Sequence, residues 1–192
     1  MGKEFDALPA AVSFNEEVGG CLVFEETRRE APARVGDATQ ARIALQLRVT
    51  ADDADRFLAD ERHAARVTGW VRMDMLGGAL EVEEGTFNVV AGAGGRRMEY
   101  RLHLHDGADR ALTLVGSKEQ EADGTFSLHL RLLAGHVDAG EDAAVMATGT
   151  LRLLPDDVAK QLMTLHVSPP LRLDALARFS ALFARDPWAT QR

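Results

Sequence analysis

Cys21 is the only cysteine in 192 residues, so no intrachain disulfide can form and no zinc site built on several cysteines is available. Basic runs are short: no stretch of Lys or Arg exceeds the pairs Arg28-Arg29 and Arg96-Arg97, and the net charge is −8. That balance excludes broad electrostatic attraction to nucleic acid or to an anionic membrane surface. No apolar run approaches the ~20 residues that span a bilayer. Met1 to Phe14 carries Glu4 and Asp6 and lacks a basic segment followed by an apolar one, which is not the pattern of a signal peptide. These absences predict a cytoplasmic protein with no nucleic-acid partner and no membrane span. What is present, 46% hydrophobic and 27% charged residues, is the composition of a globular chain. Its length suits a single domain over residues 1–192 with a substantial core.

The dominant pattern is alternation with a period of two. Ile43, Leu45, Leu47 and Val49 point one way and Arg42, Gln46 and Arg48 the other. Leu80 and Val82, then Phe87 and Val89, make two shorter runs separated by Glu83-Glu84-Gly85. Tyr100, Leu102 and Leu104 alternate with Arg101, His103 and His105; Leu112 and Leu114 begin the next strand; Phe126, Leu128, Leu130 and Leu132 alternate with Ser127, His129 and Arg131. Val145, Ala147, Leu151 and Leu153 make another. Turn signals separate them at Gly77-Gly78, Gly92 to Gly95, Asp106-Gly107, Asp123-Gly124 and Gly135. The intervals are too short for crossover helices, which rules out a parallel sheet. The expectation is a mainly β fold, an antiparallel meander of at least seven strands closing into a lipocalin- or calycin-like barrel over 12–168.

Three segments carry helical patterns. Asp52 to Ala65 has an acidic first turn with Thr50 or Asp52 as N-cap, and Asp156 to Met163 follows Pro155. At 171–186 an amphipathic C-terminal helix is predicted, with Leu176, Phe179, Leu182 and Phe183 as its apolar stripe. Pro169-Pro170 would fold it back over a wall or mouth of the barrel.

Candidate chemistry is sparse. Gly92-Ala93-Gly94-Gly95 superficially suggests a phosphate loop, but the alternating Arg97 to Leu102 follows it where a helix would have to open, so it reads as a hairpin. His103 and His105 share one strand face and His129 the corresponding face of a later strand, a set able to ligate zinc, iron or copper. They alternate with leucines that claim the core, however, and no carboxylate in the same stretch completes a site. The expectation is therefore no metal and no cofactor. Cys21 reads as a small buried strand residue, and no nucleophile elbow surrounds Ser117. Lys118, following the apolar Leu112 to Val115, stands near a barrel mouth, where a lysine can hold an anionic group or, if desolvated, form a Schiff base.

The order of short motifs resembles a known β-rich domain. The motifs are Phe14-x-Glu16-x-Val18-x-Gly20, Asp55 to Asp60 with His63, Gly69-x-Val71 and Gly85-Thr86-Phe87-Asn88. Arg97-Met98-x-Tyr100-x-Leu102, Leu112-x-Leu114-x-Gly116-x-Lys118 and Gly149-x-Leu151 complete the set. Over roughly residues 12–168 they are similar to a domain that accompanies cholesterol-oxidase-like GMC flavoenzymes and α/β-hydrolases in large bacterial proteins. The resemblance implies an accessory role, association with a flavoenzyme or hydrolase, and ligands of apolar, sterol- or lipid-like character. It carries no flavin or hydrolase residues onto this chain.

Together these features predict a non-catalytic module binding an apolar small molecule inside the barrel, with Tyr100, Lys118, Phe87, Leu102 and Leu128 lining the site. The alternatives are an isomerase, cyclase or hydrolase acting in the same cavity, and a structural or homo-oligomerising protein whose barrel is filled by its own side chains.

Overall fold

The computed structural model describes residues 9–24, 39–92, 95–121, 123, 125–168 and 177. The predicted helix at 171–186 lies outside the described residues. Within them the chain forms ten strands: β1 (Val12–Phe24), β2 (Thr39–Ala51), β3 (Ala65–Met73), β4 (Gly78–Glu81), β5 (Glu84–Gly92), β6 (Gly95–His105), β7 (Ala111–Gln120), β8 (Phe126–Ala134), β9 (Val145–Leu153) and the short β10 (His166–Val167). Two helices, α1 (Ala54–Ala59) and α2 (Pro155–Met163), interrupt them.

Strands β1, β2, β3, β5, β6, β7, β8 and β9 pair antiparallel in that order, and β9 pairs back onto β1 through Val23↔Thr148 and Phe24↔Ala147. The eight strands therefore close a barrel, as the alternation predicts. Strand β4 pairs only with the second half of β3, and β10 with the start of β1. Along β2 the alternation is complete: Ala41, Ile43, Leu45, Leu47, Val49 and Ala51 are buried while Arg42, Gln46 and Arg48 face out. The same phase on every strand gives one continuous core that includes Leu22, Val67, Phe87, Leu102, Leu114, Leu128 and Leu151. Eight strands leave an interior just wide enough for side chains to fill.

The turns follow their local chemistry. Asp106 Oδ1 accepts the backbone N–H of Ala108 and Arg110, and Oδ2 accepts Arg110 Nε, closing the β6–β7 hairpin. Those donors hold the Asp106 carboxyl below the usual aspartate range. Gly92 pairs with Gly95 between antiparallel β5 and β6, so a strand, not a helix, follows the glycine cluster, as expected. The helix predicted over 52–65 is shorter than its pattern: α1 ends at Ala59 and β3 has begun at Ala65. Asp60 explains the stop, because its carboxylate accepts the N–H groups of Arg62 and Ala64 and draws the chain into a turn. The N-cap is Asp53, not Thr50 or Asp52, accepting from the N–H groups of Asp55 and Arg56.

Closure of the ring rests on close backbone approach at the β1–β9 seam. A Cβ on Gly149 would fall 2.4 Å from the Cys21 carbonyl oxygen, whereas one on Gly19 would meet nothing nearer than 3.7 Å. Gly149→Ala should therefore destabilise the protein by roughly 1–3 kcal/mol, the usual penalty of overpacking. Gly19→Ala should stay within about 0.5 kcal/mol of the parent. Urea denaturation of both variants checks this, and equal effects would remove the seam as the reason.

Candidate functional site

The inward phase of three strands and one helix brings four polar side chains together inside the barrel. Glu16 comes from β1, Tyr100 from β6, Lys118 from β7 and Gln161 from α2. In the ring of eight, β1 and β6 stand four strands apart in either direction, so Glu16 reaches across the barrel to the opposite wall. Its Oε2 accepts the Tyr100 hydroxyl at 2.5 Å, and its Oε1 accepts Lys118 Nζ at 2.8 Å. Lys118 also donates to Gln161 Oε1 at 3.0 Å, and its ammonium lies 5.8 Å from the Phe126 ring centroid. Glu16 and Lys118 have side chains only 2% and 3% exposed. Such a pair persists away from water only if its remaining hydrogen-bonding capacity is also met. Tyr100 and Gln161 meet it, and among the described residues no buried side-chain nitrogen or oxygen lacks a partner.

Burial and the adjoining Glu16 carboxylate both push the Tyr100 phenol well above its usual range, burial being the larger cause. The ring packs edge-on against Phe87, with centroids 5.2 Å apart, and Phe87 packs against Phe14 at 6.0 Å. The void enclosed by Glu16, Leu45, Leu47, Tyr100, Leu102, Leu114, Gly116, Leu128 and Leu130 measures about 10 Å³, at the limit for a single water molecule. All five residues predicted to line a ligand site, Tyr100, Lys118, Phe87, Leu102 and Leu128, thus face the interior. They pack against one another and around this network instead of bordering a chamber of several hundred Å³.

Helix α2 covers this end of the barrel. Thr164 Oγ1, just past its last turn, accepts the Asn15 N–H at 2.7 Å, and Ser168 Oγ accepts that of Ala11 at 3.0 Å. Beside α2 an open groove of about 600 Å³ has Glu16 and Gln161 in its floor and Arg48, Asp157 and Lys160 on its rim.

A second groove, of about 1210 Å³, runs over the outside of β3 and β5–β8 next to α1. The register places Arg66, Thr86, Arg101, Val115 and Arg131 in one cross-strand row along it. At ~4.8 Å per strand the three arginines stand about 10 Å apart. Arg66 pairs with Asp52, and Arg101 donates to the Val137 carbonyl. Arg131 is exposed and enters no ion pair among the described residues. Ala65 and Val115, both half-buried, contribute apolar surface to the same groove.

The histidines behave in two ways. All face outward, as their phase requires, but His129 stands apart and contacts Thr150 Oγ1 at 3.1 Å. His103 and His105 instead meet His136, from the loop after β8, with ring centroids 4.8 Å away in each case. The carboxylate that the histidines' own stretches lack comes from elsewhere in the chain, since Glu83 Oε1 lies 2.6 Å from His105 Nδ1.

The fold and site define a closed eight-stranded antiparallel barrel carrying a buried charge pair, plugged at one end by a helix. Compared with known proteins, the chain matches no family model, no curated protein and no solved structure. No helix among the described residues is long and apolar enough to cross a membrane.

Tyr100 is the only tyrosine in the chain, so the ultraviolet absorbance of tyrosinate reads it alone. A phenol whose folded pKa is raised contributes stability that is complete below the unfolded value, ~10, and is lost as pH rises through the folded value. Tyr100 should therefore ionise only above ~10, together with loss of folded structure followed by circular dichroism. Ionisation near 10 with the fold intact would contradict its burial against Glu16.

Proposed function

We propose that this chain is a non-catalytic binding module whose barrel is a filled scaffold and whose ligand lies in the outer groove over β3 and β5–β8. The observation that carries the reading is the cross-strand row of Arg66, Arg101 and Arg131 beside Ala65 and Val115. The Arg131 guanidinium, exposed and without an ion pair among the described residues, suits a carboxylate or phosphate head through charge-assisted hydrogen bonds. Ala65 and Val115 in the same groove offer the start of a surface for an apolar body. A lipid-like amphiphile with an anionic head combines the two. The void of about 10 Å³ at the network weighs against an apolar ligand held in a lipocalin-like cup at that place. Partnership with a flavoenzyme or hydrolase rests on the resemblance of residues 12–168 alone, and the comparisons add nothing to it.

An enzyme acting at the α2 mouth is the second reading, favoured by the convergence of Glu16, Tyr100 and Lys118 beneath the groove of about 600 Å³. Against it, Lys118 spends its ammonium on Glu16 and Gln161 and offers no lone pair to a carbonyl, and Tyr100 already donates its proton to Glu16. The groups satisfy one another and leave nothing directed at a substrate. A homo-oligomeric role has less support: among the described residues the exposed large apolar side chains, Val23, Trp70, Met75, Leu154 and Met163, come from separate parts of the chain.

Binding of a long-chain fatty acid, followed by displacement of a fluorescent analogue, tests the groove. Arg131→Ser should weaken binding about tenfold or more, since a hydrogen bond to a charged group contributes ~1.5–3 kcal/mol. The weakening should shrink at high salt. Binding that is indifferent to Arg131→Ser, with lipid retained in native mass spectra, would move the ligand into the barrel and overturn the proposal.

A further inference from the structure

At the edge of the barrel, three side chains from separate parts of the sequence point at one another. Glu83 lies between β4 and β5, His105 ends β6, and His136 follows β8. One carboxylate oxygen of Glu83 and one ring nitrogen of each histidine all lie within 4.8 Å of one another. Two imidazoles and a carboxylate are the donor set that borderline divalent cations, zinc above all, select.

The loop carrying His136 is held by buried contacts. Thr113, fully buried in β7, donates its hydroxyl to the Gly135 carbonyl at 2.8 Å and accepts the Val137 N–H at 2.9 Å, so it clamps the residues on both sides of His136. Arg101 donates to the Val137 carbonyl, and Gly135 N–H is bonded to the Ala111 carbonyl at 2.9 Å. The His136 ring is fixed in turn: it stacks on His103 with planes 10° apart, and its Nε2 stands 3.2 Å from the Leu104 carbonyl. An imidazole donating from Nε2 to a carbonyl keeps its Nδ1 lone pair free, the outer contact that orients a ligating histidine. Glu83 is positioned by its own backbone N–H, which bonds the His103 carbonyl at 3.1 Å. Solvated strand histidines would need none of this support.

We propose that Glu83, His105 and His136 bind one divalent transition-metal ion, zinc or a close congener, with His103 as the positioning residue that backs His136. The short Glu83–His105 hydrogen bond is the metal-free arrangement, in which a proton sits where the cation bridges the pair. Three protein ligands leave a tetrahedral ion one open position, facing solvent, for water or an anion. The ion ties the β4–β5 turn, the end of β6 and the β8–β9 loop together at one end of the barrel. The site adjoins the arginine groove, whose lining includes Glu83 and whose Arg101 holds the His136 loop, but none of its ligands is an arginine of that row.

The test uses full-length protein made without an affinity tag and stripped with a chelator, titrated with Co²⁺ by visible absorption and with Zn²⁺ by calorimetry. One equivalent per chain is expected, with a Co²⁺ spectrum of low coordination number. Removing an outer partner of a ligand costs about 10–100-fold in metal affinity, so His136→Ala and Glu83→Gln should each weaken binding by at least that factor. His103→Ala should cost about tenfold and leave the one-to-one stoichiometry unchanged. His129→Ala, on the neighbouring outer face, should change nothing. All four positions are solvent-accessible, and circular dichroism verifies that each variant folds. Sub-stoichiometric binding, or binding equal in His136→Ala and His129→Ala, would overturn the site.

Discussion

A carboxylate and an ammonium buried face to face across the inside of the barrel constrain everything around them. Glu16 and Lys118 meet at 2.8 Å with almost no exposure, and each would be strongly unfavourable there alone. The pair fixes the phase of β1 and β7, because a slip of one residue in either strand would turn a charge outward and its neighbours inward. It also fixes Tyr100, whose hydroxyl completes the carboxylate, and α2, whose Gln161 completes the ammonium. One polar cluster thereby joins opposite walls and the covering helix, and the leucines surrounding it fill what space remains.

That arrangement decides where function can reside. In the proposed reading, an interior whose polar groups satisfy one another around a void of about 10 Å³ serves as a scaffold. The proposed binding chemistry then lies on the outside, where outward-facing residues of adjacent strands line up by register. The arginine row arises in this way, from positions that are polar because the alternating partner is in the core, and so does His105, whereas Glu83 and His136 reach His105 from the β4–β5 turn and the β8–β9 loop. A closed antiparallel barrel makes such rows rigid, since each strand is held on both sides.

Much of the fold was legible because a barrel this size needs alternation, and the strands between Ile43 and Leu153 keep it except at the buried Thr113 and Ser127 and the irregularity at Leu132/Leu133. Asp106-Gly107 behaved as its turn chemistry dictates, and a strand follows the Gly92–Gly95 cluster. The length of α1 was misread because a side chain, Asp60, outcompetes helical hydrogen bonds that periodicity alone assumes. Glu16 was quoted in the motif Phe14-x-Glu16-x-Val18 but not weighed as a buried charge. Its phase, shared with Phe14 and Val18, was the available signal, and Lys118 carried the same signal after Leu112, Leu114 and Gly116. An acid and a base both in the inward phase of one barrel predict each other. Gln161 and His136 had no such signal: one depends on where α2 docks, the other on the path of a loop.

The central claim is that Glu16 and Lys118 act as a mutually dependent pair, and a double-mutant cycle measures this directly. In a Tyr100→Phe background, which leaves no phenol orphaned, Glu16→Leu and Lys118→Met are compared singly and together by urea unfolding. Each single change strands a buried charge and should cost roughly 3–5 kcal/mol, while the double variant should recover most of that loss. Single losses that are small, or that simply add in the double variant, would show that the two charges do not depend on each other and that the barrel is held by its apolar core alone.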